Sequence, residues 1–257
     1  MPENGVLFIV PTPIGNLEDM TFRGIRVLNE STLIAAEDTR HTKKLLMHYN
    51  INTPTISYFE HNRFTRIPQI VDHLISGKNV SVVTDAGTPG ISDPAYKLIR
   101  ATIENHIKVE SIPGASASVT ALSASGLPTD RFLFEGFLPH RKGRRKKLER
   151  LANLEATIIF YESPMRLIRT LNDILEFIGD RPAVIGREFL KTVDEFTIPR
   201  PWREVIDISE DTDGVHKPEK TNPLQDIITS LLDKGVDMLE EVLIKAKDPA
   251  SGMIEKI

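Results

Sequence analysis

Apolar residues fall along this chain in two alternating rhythms. Short, mostly apolar runs at Val6 to Val10, Thr32 to Ala35, Thr55 to Tyr58, Asn79 to Val83 and Lys108 to Ile112 predict strands. Between them the apolar positions recur at helical spacing, and Phe64 to Ser76 carries Ile67, Ile70, Val71, Leu74 and Ile75 on one face. Thr21 caps a predicted helix over Phe22 to Asn29, and Pro94 suits the first turn of another that runs to about Asn105. Strand followed by helix, repeated, predicts an α/β fold with a largely parallel sheet. A small-residue stretch from Pro113 to Pro128 closes this half, with Gly126 and Pro128 as its boundary signal.

A second series follows: strand Phe132 to Gly136, strand Thr157 to Tyr161, helix Pro164 to Phe177 and strand Ala183 to Gly186. The expected organisation is an N-terminal α/β domain over 1–126, a C-terminal α/β domain over 127–208, and a polar linker with a helical tail over 209–257. Within that tail, Leu224 to Lys245 reads as one or two amphipathic helices interrupted near Gly235.

Composition narrows the chemistry. No window approaches the 18 or so apolar residues of a membrane span, and no charged segment followed by an apolar one opens the chain, so a cytoplasmic protein without membrane contact is expected. Cysteine is absent, which removes thiolate catalysis and the common structural zinc sites. His41 and His48 can share a helical face, but no histidines stand at close ligand spacing, and no metal is expected. The formal net charge is −4, yet residues 141–150, RKGRRKKLER, hold seven Lys or Arg against one Glu. Clustered like charge repels itself, and an anionic partner such as RNA phosphate relieves that repulsion; a solvated helix face is the plainer alternative.

In open α/β sheets, ligands gather beyond the carboxyl ends of strands, where helix N-termini and free N–H groups converge. Five segments fall at such places: PTPIGN (11–16), AEDTR (36–40), TDAGTPGISDP (84–94), PGASA (113–117) and YESPMR (161–166). Gly87 and Gly90 permit positive φ and close backbone approach, while Pro89 and Pro94 fix the loop before anything binds. Each segment alone also reads as a turn or a helix cap. None matches G-x-G-x-x-G or a P-loop, which disfavours a nucleoside triphosphate.

Taken in order, VPTPIGNLEDMT, AEDTR, VVTDAGTPGISDP, PGASA, FEGFLPHRKGRR (134–145) and FYESPMR resemble the ribosomal RNA small-subunit methyltransferase I group of the tetrapyrrole methylase superfamily, from about Val6 to Glu188. The resemblance implies two α/β domains, with a mostly parallel first sheet and a mixed second one. It implies S-adenosylmethionine (SAM) in the cleft between them, usually in a homodimer. The implied reaction is 2′-O-methylation of a cytidine ribose in 16S ribosomal RNA of the small subunit. Carried over by position, the SAM site involves Ile14, Asp85, Gly87, Thr88, Ser116, Ala117 and Glu162. On the matched segments, Glu37, Asp38, Glu162 and Glu188 are carboxylates available to take the hydroxyl proton. Arg40, Arg166 and Arg187 are available to position phosphates or polarise the oxygen. RNA binding falls to the segment from His140 to Arg150, chiefly Arg141, Lys142, Arg144, Arg145, Lys146 and Lys147, with Phe137 as a stacking partner.

After Glu188 the pattern departs from the family. KTVDEFTIPRPWREVIDISEDTDGVHKPEK (191–220) stands where similar proteins complete the second sheet, so Val205 to Ile208 is a substitute strand or the second domain is incomplete. Two other functions stay open at this stage. One is a methylase of tetrapyrroles or other small molecules, which leaves the basic run without a use. The other is a catalytically impaired RNA-binding or ribosome-assembly protein of the same fold.

Overall fold

The computed structural model describes residues 3–187 and 241–245. Glu188, Val205 to Ile208 and residues 224–240, all named above, lie outside the described residues. The chain divides into two compact units, Met1–Ala117 and Ser118–Ile257.

The first unit is built on five parallel strands: β1 (Val6–Ile9), β2 (Leu33–Ala36), β3 (Thr55–Ser57), β4 (Val80–Val83) and β5 (Lys108–Ser111). They lie in the order β3-β2-β4-β1-β5, with Leu7 opposite Val80 and Ile34 opposite Ser81. Four helices connect them: α1 (Phe22–Glu30), α2 (Thr39–His48), α3 (Arg63–Ile75) and α4 (Ala95–Glu104). An all-parallel sheet has to be covered on both faces. Ala35 and Val82 pack with Ile70 and Leu74 of α3 and Leu98 of α4. Their neighbours Ile34 and Val83, pointing the other way, pack with Val27 and Leu28 of α1 and Leu46 of α2. Each such side chain contributes roughly 1.5–3 kcal/mol on full burial. β4 is buried throughout, which explains why its sequence lacks alternation. Tyr58 follows β3 directly and its N–H still donates to the Ala36 carbonyl of β2 at 2.7 Å; its ring is buried, its hydroxyl donates to the Pro94 carbonyl at 2.9 Å, and burial pushes the phenol up to about 12.

The second unit carries a mixed sheet of β6 (Phe132–Phe137), β7 (Thr157–Glu162), β8 (Ala183–Arg187) and β9 (Glu241–Lys245), in the order β6-β7-β9-β8. β6 and β7 are parallel, whereas β9 runs antiparallel to both of its neighbours. α5 (Ala117–Ala124) precedes this sheet; α6 (Arg144–Leu151) and α7 (Leu167–Ile178) accompany it, and Leu148, Leu151, Leu167, Leu171 and Ile174 close one core around Ile158 and Phe160.

β9 corrects the expectation of helix up to Lys245. Residues 241–245 read Glu-Val-Leu-Ile-Lys, a short apolar run with β-branched residues at two of its three central positions, which is strand chemistry. The helical spacing of the residues before it masks so short a run. The segment therefore belongs to the second sheet and is no appendage. Leu243 pairs with Phe160 on one side and Ile185 on the other. Leu243→Pro removes a ladder N–H from a strand with neighbours on both edges, and is expected to cost about 1–3 kcal/mol. A urea unfolding series reads this as a lower midpoint; an unchanged midpoint contradicts the strand.

Candidate functional site

At the carboxyl end of the first sheet, two loops from distant parts of the chain are tied together. The Thr12 N–H donates to the Gly87 carbonyl at 2.9 Å and the Gly87 N–H returns a bond to the Thr12 carbonyl at 3.0 Å, a two-way bridge between the loops that follow β1 and β4. The Thr12 hydroxyl adds a bond to the Thr84 carbonyl at 3.0 Å. Gly87 sits at φ +86°, a conformation costly for any residue with a Cβ. A Cβ placed there stands 3.4 Å from Ile14 Cγ2 and 3.9 Å from the Ala115 carbonyl oxygen. Three loops, carrying Ile14, Gly87 and Ala115, thus converge on one point. Thr88 fastens the third by donating to the Ala115 carbonyl at 2.8 Å, and Gly114 allows close packing because a Cβ there falls 2.7 Å from Pro11 Cβ.

The loop after β2 brings carboxylates to the same edge. Glu37 accepts a bond from the Thr84 hydroxyl at 2.5 Å and lies 3.5 Å from the Asp85 N–H. Asp85 is half-buried and accepts from the Asp38 N–H at 3.1 Å; burial first, and the Glu37 charge second, push its carboxyl up. Asp38 is the N-cap of α2, accepting from the Arg40 backbone at 2.8 Å and from its guanidinium at 2.7 and 3.1 Å. Those side-chain bonds from Arg40 hold the Asp38 carboxyl far below the usual carboxylate range. Beside these groups lies a cavity of about 250 Å³ lined by Thr12, Leu17, His41, Thr42, Thr84 and Asp85 among others. The buried Thr42 hydroxyl has no hydrogen-bond partner among the described residues.

Of the residues singled out in the sequence, Ile14, Asp85, Gly87 and Thr88 gather at this edge with Glu37, Asp38 and Arg40. Ser116 and Ala117 follow Ala115 directly and are half-buried. Sequence reasoning missed Thr12 and Thr84, the two hydroxyls that lock the loops. Their signal is a Thr one or two places after a strand, too common to act on alone.

Glu162 lies in the second unit, at the end of β7, and its side chain is 0% exposed. It accepts from the Ser163 N–H at 2.8 Å and from the Thr170 hydroxyl at 2.7 Å, and pairs with Arg166 at 2.5 Å. The basic segment divides. Arg141, Lys142 and Lys146 are exposed and have no ion pair among the described residues. Arg145 pairs with Glu149 at 2.7 Å and stands over the Phe177 ring, and Lys147 pairs with Glu135. Arg144, expected among the RNA-facing cations, turns inward: it is buried and donates to Asp173 at 2.6 Å, Thr170 at 2.7 Å and the Pro139 carbonyl at 3.2 Å. Arg144, Leu148 and Leu151 share the buried face of α6, a 4-then-3 spacing that was present in the sequence beneath the run of charge. Phe137 is half-exposed with its ring 5.6 Å from that of Tyr161. Among the described residues, no group of three His, Asp or Glu is placed to hold a metal ion, and no helix is long and apolar enough to cross a membrane.

The family model for tetrapyrrole (corrin/porphyrin) methylases matches residues 6–204. A protein of Halalkalibacterium halodurans named ribosomal RNA small subunit methyltransferase I is 54% identical over 195 residues, 76% of this chain and 68% of its own. One of Vibrio cholerae with the same name is 47% identical over 216 residues, 83% of this chain and 75% of its own. Among solved structures, cobalt precorrin-4 methyltransferase superposes with a TM-score of 0.61 at 15% identity, covering 94% of each chain. Uroporphyrin-III C-methyltransferase of Thermus thermophilus, solved with S-adenosylhomocysteine, superposes with a TM-score of 0.54 at 16% identity, covering 95% of this chain and 97% of its own. A parallel sheet whose strand-end loops form the site, a mixed second sheet and these matches agree: the chain belongs to the tetrapyrrole methylase family, in its ribosomal RNA small subunit methyltransferase I group.

Proposed function

We propose that this protein transfers a methyl group from SAM to the 2′-oxygen of a cytidine ribose in 16S ribosomal RNA. The observation that carries the reading is 47–54% identity, over three-quarters or more of the chain, to relatives named for methylating small-subunit ribosomal RNA. When bound, SAM supplies an electrophilic methyl carbon on a sulfonium, which an oxygen displaces in line as the thioether leaves.

The residues present suit that donor. Gly87 brings the loops of Ile14 and Ala115 together without a side chain of its own, so small and apolar groups meet at the strand ends. Asp85 offers a carboxylate to an ammonium, and the loop of Ser116 and Ala117 offers small side chains beside a flat ring. Asp38 is a weak base because Arg40 holds it ionised, so its task is to cap α2.

The exposed cations Arg141, Lys142 and Lys146 attract RNA phosphate, while Phe137 beside Tyr161 gives a base an aromatic edge to stack on. The target is the small ribosomal subunit or its RNA, and the enzyme works in the cytoplasm as a homodimer.

Radiolabelled SAM incubated with small subunits that lack the modification is expected to label the 2′-oxygen of one cytidine in 16S RNA. Label in a porphyrinoid alone, or RNA binding without label, contradicts the reading. Replacing Arg141, Lys142 and Lys146 together by Gln removes up to three phosphate contacts. The slope of log affinity for RNA against log salt is then expected to flatten by roughly 2, at about 0.7 per contact for single strands. SAM affinity stays as in the parent. An unchanged slope assigns the three cations to a solvated surface.

A further inference from the structure

Two guanidinium nitrogens in the second unit, Nη1 of Arg166 and Nη1 of Arg181, are buried without a hydrogen-bond partner among the described residues, and only Arg166 belongs to a matched loop. Arg166 forms an ion pair through Nη2 with Glu162 at 2.5 Å and donates through Nε to the Ser163 hydroxyl at 3.3 Å, while its Nη1 is buried with no hydrogen-bond partner among the described residues. A buried donor without a partner is uncommon in a folded protein and asks for an explanation. The side chain as a whole keeps 21% exposure.

What holds Arg166 is unusually well built. Glu162 is enclosed and has both carboxylate oxygens engaged, Oε1 by the Ser163 N–H and Arg166, Oε2 by Thr170. A hydroxyl has one proton to give. Thr170 gives its proton to Glu162 and must therefore accept from Arg144, whose Nη2 lies 2.7 Å away. Arg144 is in turn fixed by Asp173 and the Pro139 carbonyl. The polarity of the chain is thus set from one end to the other: Arg144 donates to Thr170, Thr170 to Glu162, and Glu162 receives Arg166. Burying this many polar and charged groups is costly, and stability alone does not explain it, since apolar side chains of similar volume do as well or better.

We infer that Arg166 is an oxyanion-binding residue of the second unit, oriented by Glu162, Thr170 and Arg144 as positioning residues. The inference rests on the methyltransferase reading above. It gives Glu162 the part of holder, since an enclosed carboxylate with both oxygens engaged is poorly placed to meet a ligand itself. A guanidinium held by one edge presents its remaining N–H groups in a fixed plane, which matches carboxylate or phosphate oxygens. Two oxyanions are available to this enzyme: the methionine carboxylate of SAM and a phosphodiester of the RNA.

The test uses the full-length chain, with SAM binding by calorimetry and binding of protein-free 16S RNA by filter retention across a salt series. Arg166→Gln is expected to weaken one of these by about tenfold or more, the value of a hydrogen bond to a charged group. Loss confined to SAM identifies the carboxylate. Loss confined to RNA, with a salt slope shallower by roughly 0.7, identifies a phosphate. Thr170→Val, which keeps shape and removes the relay, weakens the same ligand, and Thr170→Ser restores it. Should Arg166→Gln fail to fold, Arg166→Lys keeps the charge without the fork and shows the same loss in smaller degree. Parental affinity for both ligands in a folded Arg166 variant overturns the inference, and parental affinity in Thr170→Val overturns the relay. A parent protein that binds neither ligand refutes the methyltransferase reading and the inference with it.

Discussion

The candidate site depends on the reciprocal backbone pairing of Thr12 with Gly87. It is a single isolated bridge, but it joins loops more than seventy positions apart in the chain and sets how closely Ile14, Asp85 and Ala115 approach one another. Strand order makes the pairing possible, because β1 and β4 are neighbours at the centre of the sheet. Glycine makes it affordable, since φ +86° burdens any other residue. Carboxylates at this edge are then held by donors whose own positions follow from the bridge: Thr84 holds Glu37, and the α2 N-terminus holds Asp85 through the Asp38 N–H.

In the second unit a different principle applies. Glu162 and Arg166 are ordered by a buried polar chain, in which Arg166 Nη1 is left without a partner among the described residues. Such a network trades stability for a unique arrangement when it is fully satisfied. The same helix, α6, therefore presents two kinds of cation. Lys146 keeps its charge in water, where it acts at long range and is screened by salt. Arg144 spends its charge inside, where it acts on geometry alone.

Much of the framework was legible in the sequence because parallel strands and their covering helices write clear periods. The runs at Val6, Asn79 and Lys108 fall on β1, β4 and β5 within a residue at each end. Gly87 was legible for a related reason, since glycine between turn residues after a strand has few other uses. Pairings across long sequence separations were not. Nothing local in Thr12 names Gly87, and nothing in Thr170 names Arg144. Arg144 shows how charge conceals burial: its 4-then-3 spacing to Leu148 and Leu151 marks the inner face of α6, but six other cations within the segment argue for solvent. β9 was missed because five residues are too few to compete with the longer helical pattern before them, and only partners on both edges make them a strand.

Calorimetric titration of SAM into Gly87→Ala tests the role of the bridge most directly. Alanine at φ +86° costs roughly 1–2 kcal/mol in backbone strain and sets a methyl group against Ile14 Cγ2, 3.4 Å away. The account predicts a protein that melts cooperatively, a few degrees below the parent, and binds SAM at least tenfold more weakly. Parental SAM affinity in a folded Gly87→Ala protein contradicts it.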